Sequence, residues 1–333
     1  MRKFRWDGCS DAKNGMGAQM QKIAAAEYEK ELVSIISPFY NEEDCIDLFF
    51  ERLHAVVKHL SDRYRFELIF TNNCSTDGSL EKVLAICNVH SYVQVVTLSR
   101  NFGYQASMLS GLRNASGDIT IFIDTDGEDP PEMIEQFLNE WKNGYDVVYG
   151  ERVDRPEPPI IQAARKAFYR ITKFIADYDF IVDMAEFSCF SRSVRQNILQ
   201  SRSTHPFIRA EIAYSGYRRI GIPYRRHPRI AGTSKFSLVR MTKFAIAGIL
   251  SSSTFPLRLS VYLAGPIGLF DFFAALYCLF GGAISLPALI AANMSAILIA
   301  LSSIAMYVAR IYKDGLQRNV FVIDQAKSRL NHE

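Results

Sequence analysis

The sequence has few cysteines and lacks the short motifs that mark common metal and cofactor sites. Its six cysteines among 333 residues are scattered and form no CxxC pair. This distribution indicates neither a zinc site nor a disulfide framework, and it is typical of a reducing compartment. No GxGxxG or GxxxxGK(S/T) loop follows the first predicted strand, so neither a Rossmann dinucleotide site nor a P-loop is supported. Hydride transfer, covalent catalysis by Cys or Ser and haem chemistry also find no support.

Acidic residues are missing from one stretch of the chain. Between residues 218 and 243 there are eight Lys or Arg and no Asp or Glu, whereas the formal net charge of the whole chain is only +3. Such a stretch predicts a positive surface for phosphate, which either nucleic acid or anionic lipid headgroups supply. No aromatic stacking platform accompanies the basic residues, so we expect no nucleic-acid partner.

Charge is nearly absent from two long segments near the C-terminus. Residues 261–284 carry one charged residue, Asp271, and residues 286–308 carry none. Each segment is long enough to cross about 30 Å of hydrocarbon as a helix. Basic residues lie before the first and after the second, so the positive-inside rule predicts a hairpin with both ends in the cytoplasm. A pair of buried helices in a soluble protein is the alternative, but it fits the lengths and the charge asymmetry less well.

Strand and helix patterns alternate between residues 32 and 151. Strands are predicted at 32–37, 66–71, 93–98, 119–123 and 146–149, with helices at 42–60, 77–87, 104–113 and 132–142. This alternation predicts an α/β fold with a mainly parallel sheet and right-handed crossovers.

Amphipathic patterns follow this α/β region. Residues 158–176 combine an apolar stripe with basic neighbours, and a second such helix is predicted at 237–251. The pattern is typical of a helix that lies on a membrane surface, although a helix packed on the sheet has the same pattern. The nearby hairpin favours the membrane.

We expect five segments along the chain. The first is polar, shows no secretory signal and precedes the α/β domain. The segments are a polar extension at 1–31, the α/β domain at 32–236, a juxtamembrane helix at 237–256, the hairpin at 257–312 and a cytoplasmic tail at 313–333.

Three carboxylates follow the fourth predicted strand at alternate positions: Asp124, Asp126 and Glu128. In open α/β sheets, ligands bind beyond the carboxyl ends of the strands. Carboxylates crowded there repel one another unless a cation lies among them. Hard oxygen ligands suit Mg²⁺ or Mn²⁺, which usually hold substrate phosphates as well. Taken alone, the segment is equally compatible with a solvated acidic turn before the next helix.

The other predicted strands also end in polar motifs. Because the carboxyl ends of parallel strands meet at one edge of a sheet, one substrate could touch all of them. The motifs are Pro-Phe-Tyr-Asn-Glu-Glu at 38–43, Asn-Asn-Cys-Ser-Thr-Asp at 72–77, Arg-Asn-Phe-Gly at 100–103 and Glu-Arg-Val-Asp-Arg at 151–155.

In this order the motifs resemble glycosyltransferase family 2, in particular its polyprenyl-phosphate branch of dolichol-phosphate mannose synthases and bactoprenol glucosyltransferases. The resemblance runs from about residue 32 to residue 323. It includes Arg-Ile-Ala-Gly-Thr-Ser-Lys-Phe at 229–236, which is similar to the family's RxxGxSK(Y/F) signature, and the two-span hairpin. The QxxRW motif of processive polysaccharide synthases is absent, since the only tryptophans are Trp6 and Trp141. Transfer of a single sugar is therefore favoured.

The resemblance implies a nucleotide-sugar-binding fold of the GT-A type with an inverting, metal-dependent reaction. One sugar would pass from a UDP- or GDP-sugar to undecaprenyl or dolichyl phosphate at the cytoplasmic membrane face. We expect a two-span integral protein of a bacterial inner membrane, and a hairpin of this kind allows a homo-oligomer. Alternatives are a different lipid acceptor, such as diacylglycerol, or a non-catalytic relative that binds a nucleotide sugar.

The matching motifs also imply donor-binding residues. Asp124, Asp126 and Glu128 would hold Mg²⁺ or Mn²⁺ on the donor diphosphate. The donor itself would be bound at the ends of the first three strands by Pro38, Tyr40, Glu42, Asn73 and Arg100.

Phosphate contacts and catalysis are implied for a second group. An ion pair with Asp154 is the alternative for Arg152, and attraction to lipid headgroups is the alternative for the loop at 229–235. Glu186 occupies the position of the family's proposed base. Phosphate would be contacted by Arg152, Arg229, Ser234 and Lys235, and the candidate catalytic residues are Asp126, Glu186, Arg229 and Lys235.

The sequence departs from the family pattern at several positions. Asn73 replaces an Asp that usually meets the base, Tyr104 stands where many relatives have Lys, and Glu128 where they often have Gln. The arginine expected two residues after Glu186 is Ser188. These departures indicate an uncommon donor or a divergent subfamily.

Overall fold

The structure is a computed structural model that describes residues 30–153, 170, 173–177, 181, 184–201, 203–229, 246, 248–250 and 253–331. Seven strands are present in this part of the chain. They are β1 (Leu32–Phe39), β2 (Arg65–Asn72), β3 (Val93–Thr97), β4 (Ile119–Phe122), β5 (Val147–Arg152), β6 (Met184–Ser191) and β7 (Arg219–Tyr224).

The strands form one sheet in the order β3-β2-β1-β4-β6-β5-β7. Strands β1 to β4 are parallel, and β5 is parallel to β7. Strand β6 runs antiparallel to both of its neighbours, β4 and β5. The predicted α/β fold with a mainly parallel sheet is confirmed, and β6 and β7 are additions that the sequence patterns did not predict.

Eight α-helices of seven or more residues lie in the described part of the chain. Helix α1 shows why they form: its buried Ile46, Phe49 and Leu53 recur at helical spacing, and its first turn is acidic, which suits the helix dipole. The helices are α1 (Glu43–Leu60), α2 (Ser79–Val89), α3 (Tyr104–Asn114), α4 (Ile134–Lys142), α5 (Arg192–Gln200), α6 (Ile208–Tyr214), α7 (Phe255–Leu279) and α8 (Leu286–Gly315).

Apolar cores fill both faces of the sheet. Helices α1, α2 and α4 pack on one face and α3, α5 and α6 on the other. Phe137 of α4 and Phe187 of β6 are fully buried on the first face, with ring centroids 4.5 Å apart. Each buried side chain of this size stabilises the fold by about 1.5–3 kcal/mol. The two cores hold the strand ends, and the loops that follow them, in fixed positions.

The two C-terminal helices are long and apolar enough to be candidate membrane spans. Compared with the predicted spans at 261–284 and 286–308, α7 begins and ends earlier and α8 extends farther. Many of their apolar side chains are exposed, among them Leu279, which is 81% exposed. Asp271 of α7 accepts a hydrogen bond from Asn293 Nδ2 of α8 at 3.0 Å. This bond gives the charged residue inside the first candidate span a polar partner.

The segment that follows α8 returns to the sheet and pairs with the edge strand β3. The Val95 N–H donates to the Arg329 carbonyl at 2.9 Å, and the Arg329 N–H donates to the Val95 carbonyl at 2.7 Å. Phe321 is buried in the core of the second face. Both ends of the α7–α8 hairpin therefore connect to the α/β domain.

The predicted amphipathic helices lie largely outside the described residues. Residues 173–175 and 248–250 are helical. Asp177 accepts a hydrogen bond from the Thr254 N–H at 2.7 Å and pairs with Arg258, so this segment contacts the start of α7.

Candidate active site

The carboxyl ends of β1 to β4 lie along one edge of the sheet, and antiparallel β6 begins at that edge. Strand β6 pairs with β4 in a register that sets Ser188 opposite Phe122. Two residues farther along, this register brings Glu186 towards Asp124. The cleft at this edge therefore combines the acidic loop after β4 with the first residues of β6.

Successive residues of the acidic loop after β4 lie alternately in the cleft and in the core. Asp124, Asp126 and Glu128 are half-buried, whereas Thr125 and Asp129 are buried. The Thr125 hydroxyl donates to the Pro38 carbonyl at 2.9 Å, which ties the loop to the end of β1. The Glu128 N–H donates to Asp126 Oδ1 at 3.1 Å. The backbone thus directs three neighbouring carboxylates into the cleft.

The electrostatics of this loop favour a cation. Burial, followed by repulsion from Asp126 and Asp129, raises the pKa of Asp124 to about 7. Burial, followed by repulsion from Glu128, raises the pKa of Asp126 to about 6. A positive charge between the two carboxylates would relieve this repulsion.

Each carboxylate has a protein partner of its own. The Tyr104 hydroxyl donates to Asp124 Oδ1 at 2.6 Å, and Glu128 forms an ion pair with Arg226. Arg229 Nη1 lies 3.8 Å from Asp126 Oδ2. Among the residues the structure describes, no group of three or more His, Cys, Asp or Glu side chains is arranged to hold a metal ion. The three predicted ligands therefore do not form a ready-made cage.

Two of these ligands still fit a divalent cation. Mg²⁺ is usually bound by one or two carboxylates together with water and substrate phosphates. Asp124 and Asp126 supply that donor set, and burial together with repulsion from neighbouring carboxylates raises the pKa of both. Glu128 is different because the Arg226 guanidinium already neutralises it. Direct metal binding by Glu128 stays a prediction.

Asp129 is the centre of a network that sequence reasoning missed. Its carboxylate is fully buried and accepts hydrogen bonds from the Tyr224 hydroxyl at 2.5 Å and from Arg226 Nε at 3.1 Å. Arg152 Nη2 lies 3.8 Å from its second oxygen. Arg152 therefore faces the cleft network, and Asp154, its alternative partner, lies outside the described residues. In the sequence Asp129 reads only as part of the turn before two prolines.

The start of the basic loop crosses the cleft. Arg229 Nη2 contacts both oxygens of Glu42, at 2.6 and 2.7 Å, so the chain after β7 reaches the loop after β1. Hydrogen bonds between a guanidinium and a carboxylate are charge-assisted and stronger than neutral ones, so they hold Arg229 against Glu42. Ser234 and Lys235 lie outside the described residues.

The predicted nucleoside-binding residues line the ends of β1, β2 and β3. Asn73 Oδ1 accepts from the Phe102 N–H at 2.9 Å, and its Nδ2 donates to Asn101 Oδ1 at 3.1 Å. Asn73 therefore ties β2 to the loop after β3. The Arg100 guanidinium lies 3.8 Å from the centre of the Phe102 ring. Tyr40 is half-buried at the end of β1. Their contacts with a nucleotide stay a prediction.

Glu186 lies on β6, on the side of the cleft away from β1, β2 and β3, and is buried. Arg209 Nε is 2.8 Å from Glu186 Oε1, and Gln105 Nε2 donates to the same oxygen at 3.4 Å. Neither Arg209 nor Gln105 was predicted, because nothing in the local sequence links α3 or α6 to β6.

The sheet and its acidic cleft are those of a glycosyltransferase, and comparisons with known proteins identify the family. Residues 34–200 match the sequence model of glycosyl transferase family 2, and the chain belongs to this family. An uncharacterized glycosyltransferase of Bacillus subtilis (strain 168) is 31% identical over 303 residues, which cover 88% of this chain and 93% of that protein. The predicted enzyme class and family resemblance are confirmed.

Other relatives carry more specific names. A bactoprenol glucosyl transferase of Shigella phage SfV is 28% identical over 313 residues, which cover 89% of this chain and 99% of that protein. Among solved structures, a mannosyltransferase of Pyrobaculum calidifontis in complex with GDP-Man and Mn²⁺ is 17% identical with a TM-score of 0.44, over 91% of this chain and 92% of that chain.

Proposed function

We propose that this protein transfers one sugar from a UDP- or GDP-sugar to a polyprenyl phosphate, with inversion at the anomeric carbon. The observation that carries the proposal is an acidic cleft, flanked by arginines, on a domain attached to two exposed apolar helices. Relatives named bactoprenol glucosyl transferase support the lipid acceptor. A lipid phosphate as the acceptor accounts for both the arginines of the cleft and the two apolar helices.

The donor diphosphate would lie over the loop after β4. Asp124 and Asp126 would hold Mg²⁺ or Mn²⁺ there, and the cation would supply Lewis-acid stabilisation of the leaving group. Arg229 lies beside Asp126 and Arg226 beside Glu128, and both would neutralise the remaining phosphate charge. The nucleoside would extend towards the ends of β1 and β2, near Pro38, Tyr40, Glu42 and Asn73.

The acceptor phosphate would attack from the side of β6. A phosphate monoester has a second pKa near about 6, so its oxygen is largely ionised at neutral pH and needs no strong base. Glu186, which is held by Arg209, would orient the acceptor. Placing charged groups in advance around the reacting phosphates is commonly the largest catalytic effect.

The hairpin would anchor the enzyme in a bacterial inner membrane with the domain and both termini in the cytoplasm. The pairing of the tail with β3 supports this topology, because both ends of the hairpin must then lie on the side of the domain. The acceptor's hydrocarbon tail would stay in the bilayer while its phosphate reaches the cleft. The exposed apolar surfaces of α7 and α8 would also allow a homo-oligomer.

A transfer assay with a matched pair of variants tests the proposal. Membranes that contain the protein are incubated with Mn²⁺, undecaprenyl phosphate and a panel of radiolabelled nucleotide sugars. We expect one donor to label the lipid phosphate, and we expect Asp126→Ala to abolish labelling. Asp47→Ala, which changes an exposed aspartate of α1, should keep full activity. The proposal fails if no donor yields a labelled polyprenyl phosphate, or if Asp126→Ala matches the wild type.

A further inference from the structure

Arg209 lies in the first turn of α6, and its guanidinium points at Glu186, the residue at the position of the family's proposed catalytic base. Its Nε is 2.8 Å from Glu186 Oε1, and its side chain is 21% exposed, whereas that of Glu186 is 8% exposed. A ligand that enters the cleft can therefore reach Arg209 more readily than Glu186. From this geometry we infer that Arg209 binds the phosphate of the acceptor, an inference that rests on the proposed function.

Arg209 compensates for a missing arginine. The family pattern places a guanidinium two residues after Glu186, but that residue is Ser188, which is buried and donates its hydroxyl hydrogen bond to the Glu186 carbonyl at 2.9 Å. Strand β6 therefore brings no cation of its own to this position. Helix α6 brings one from a different part of the chain to the same carboxylate.

Contacts of Gln105 with Glu186 and with the Ile208 N–H fix the start of α6, where Arg209 lies. Gln105 donates to Glu186 through Nε2 at 3.4 Å and accepts from the Ile208 N–H through Oε1 at 2.9 Å. One side chain of α3 thus fixes the start of α6 relative to β6. A guanidinium held in this way presents a planar fork of N–H donors, which matches phosphate oxygens.

The segment before α6 connects Arg209 to the candidate membrane helices. Thr204 donates to Asp314 of α8 through both its N–H, at 2.8 Å, and its hydroxyl, at 2.6 Å. The chain from Thr204 to Arg209 therefore connects the end of α8 with Glu186. A phosphate carried on a membrane lipid would meet this guanidinium on its way to the cleft.

The cleft contains cations at two separate places, and the reaction brings together two phosphate groups. Arg152, Arg226 and Arg229 surround Asp126 to Asp129, where the donor diphosphate would lie. Arg209 lies at the other flank, beside Glu186. Two anions approach each other only when each has its own counter-charge, so the second place suits the acceptor.

The transfer step balances without a further reactant. An oxygen of the acceptor phosphate forms a bond to the anomeric carbon of the sugar, and the bond from that carbon to the donor's diphosphate oxygen breaks. The nucleoside diphosphate leaves with the electron pair. When the acceptor phosphate is fully ionised no proton moves, and Arg209 offsets the charge of the incoming oxygen.

Separate Michaelis constants for donor and acceptor test this assignment in the purified full-length protein, with undecaprenyl phosphate as the acceptor. We expect Arg209→Ala to raise the KM for the lipid at least about tenfold, while the KM for the donor changes less than about twofold. The KM of Arg209→Lys for the lipid should lie between those of the wild type and Arg209→Ala. Added guanidinium ion should restore part of the activity of Arg209→Ala. Arg192→Ala, at the opposite end of the sheet and paired with Asp118, serves as the matched control.

A double variant distinguishes the loss of phosphate binding from a folding defect. Removing Arg209 alone leaves Glu186 without its ion-pair partner, whereas Arg209→Ala with Glu186→Ala removes both charges. The assignment is wrong if the folded double variant and Arg209→Ala keep the wild-type KM for the lipid, or if the donor KM rises as much as the lipid KM. If the wild type labels no lipid, the proposed function and this assignment fall together. If the wild type is active and only the lipid KM is insensitive to Arg209, the proposed function stands alone.

Discussion

Asp124 and Asp126 show how single residues carry the chemistry of the cleft. Their half-buried positions at alternate residues bring two like charges together, and burial and repulsion raise both pKa values. The sequence predicted this crowding because a β-strand that ends in alternate carboxylates must direct them to one side. It did not predict that Glu128 would be neutralised by Arg226, since that partner lies in a distant loop.

The raised pKa values predict how metal affinity depends on pH. A divalent cation binds the ionised carboxylates, so protonation competes with binding. Because the pKa is about 7 for Asp124 and about 6 for Asp126, affinity should fall as the pH drops through this window. We expect Mn²⁺ to bind at least about tenfold more weakly near pH 6 than near pH 8. Calorimetric titration at the two pH values measures this, and equal affinities would contradict it.

Asp129 gives a second prediction for a single residue. Asp129→Asn keeps the shape but removes the buried charge that Arg226 and Arg152 face. Leaving such guanidinium groups without their counter-charge should destabilise the protein by about 2 kcal/mol, which corresponds to a loss of about 4–8 °C in Tm. Thermal unfolding in detergent measures the change. Asp47→Asn, in an exposed ion pair with Lys82, should shift Tm by less than about 2 °C.

Among the elements, the positions of the strands along the chain were easier to predict than the order of the strands in the sheet. Strands β1 to β5 show apolar runs bounded by polar motifs, so their positions follow from the local pattern. Strand β6 is buried on both faces but contains Glu186 and Ser188, so its sequence lacks the continuous apolar run that marks β1 and β4. Its insertion between β4 and β5 depends on pairing with both neighbours, which no local pattern reports.

The contact between the two apolar helices can be tested by itself. Asn293→Ala removes the donor that reaches Asp271 at 3.0 Å. Hydrogen bonds between membrane helices contribute about 0.6 kcal/mol on average and at most about 1.7 kcal/mol. We expect a small decrease in Tm in detergent, whereas Ser295→Ala, whose hydroxyl bonds within its own helix, should leave Tm unchanged. Equal Tm values for the two variants would argue against the interhelical bond.

At the scale of the whole molecule, the tail joins the hairpin to the sheet. An uncovered edge strand invites pairing with other chains, and the tail covers β3 with backbone hydrogen bonds. The sequence placed residues 313–333 as a simple tail, because its pairing partner lies early in the chain. Thr97 and Ser328, which are hydrogen-bonded, are 231 residues apart.

Two adjacent residues of the tail form a matched pair of sites for testing how the tail is held against β3. Phe321 is 6% exposed and Val322 is 48% exposed. Phe321→Ala should destabilise the docked tail by about 3 kcal/mol and speed hydrogen exchange of the β3 amides that it protects. Val322→Ala should leave exchange near the wild-type rate, because the contact of residue 322 with Ser99 is made by its backbone carbonyl. Unchanged exchange in Phe321→Ala would show that the tail does not depend on this anchor.

The sequence by itself determined the α/β alternation, the acidic loop at a strand end and two apolar helices of membrane-spanning length, because each follows from the spacing of neighbouring residues. Only the tertiary structure decided which charges meet. The pairs Arg226–Glu128, Arg209–Glu186 and Arg229–Glu42, and the return of the tail to β3, join residues far apart in the chain. Such contacts depend on strand order and helix packing, which long-range burial sets and local patterns do not encode.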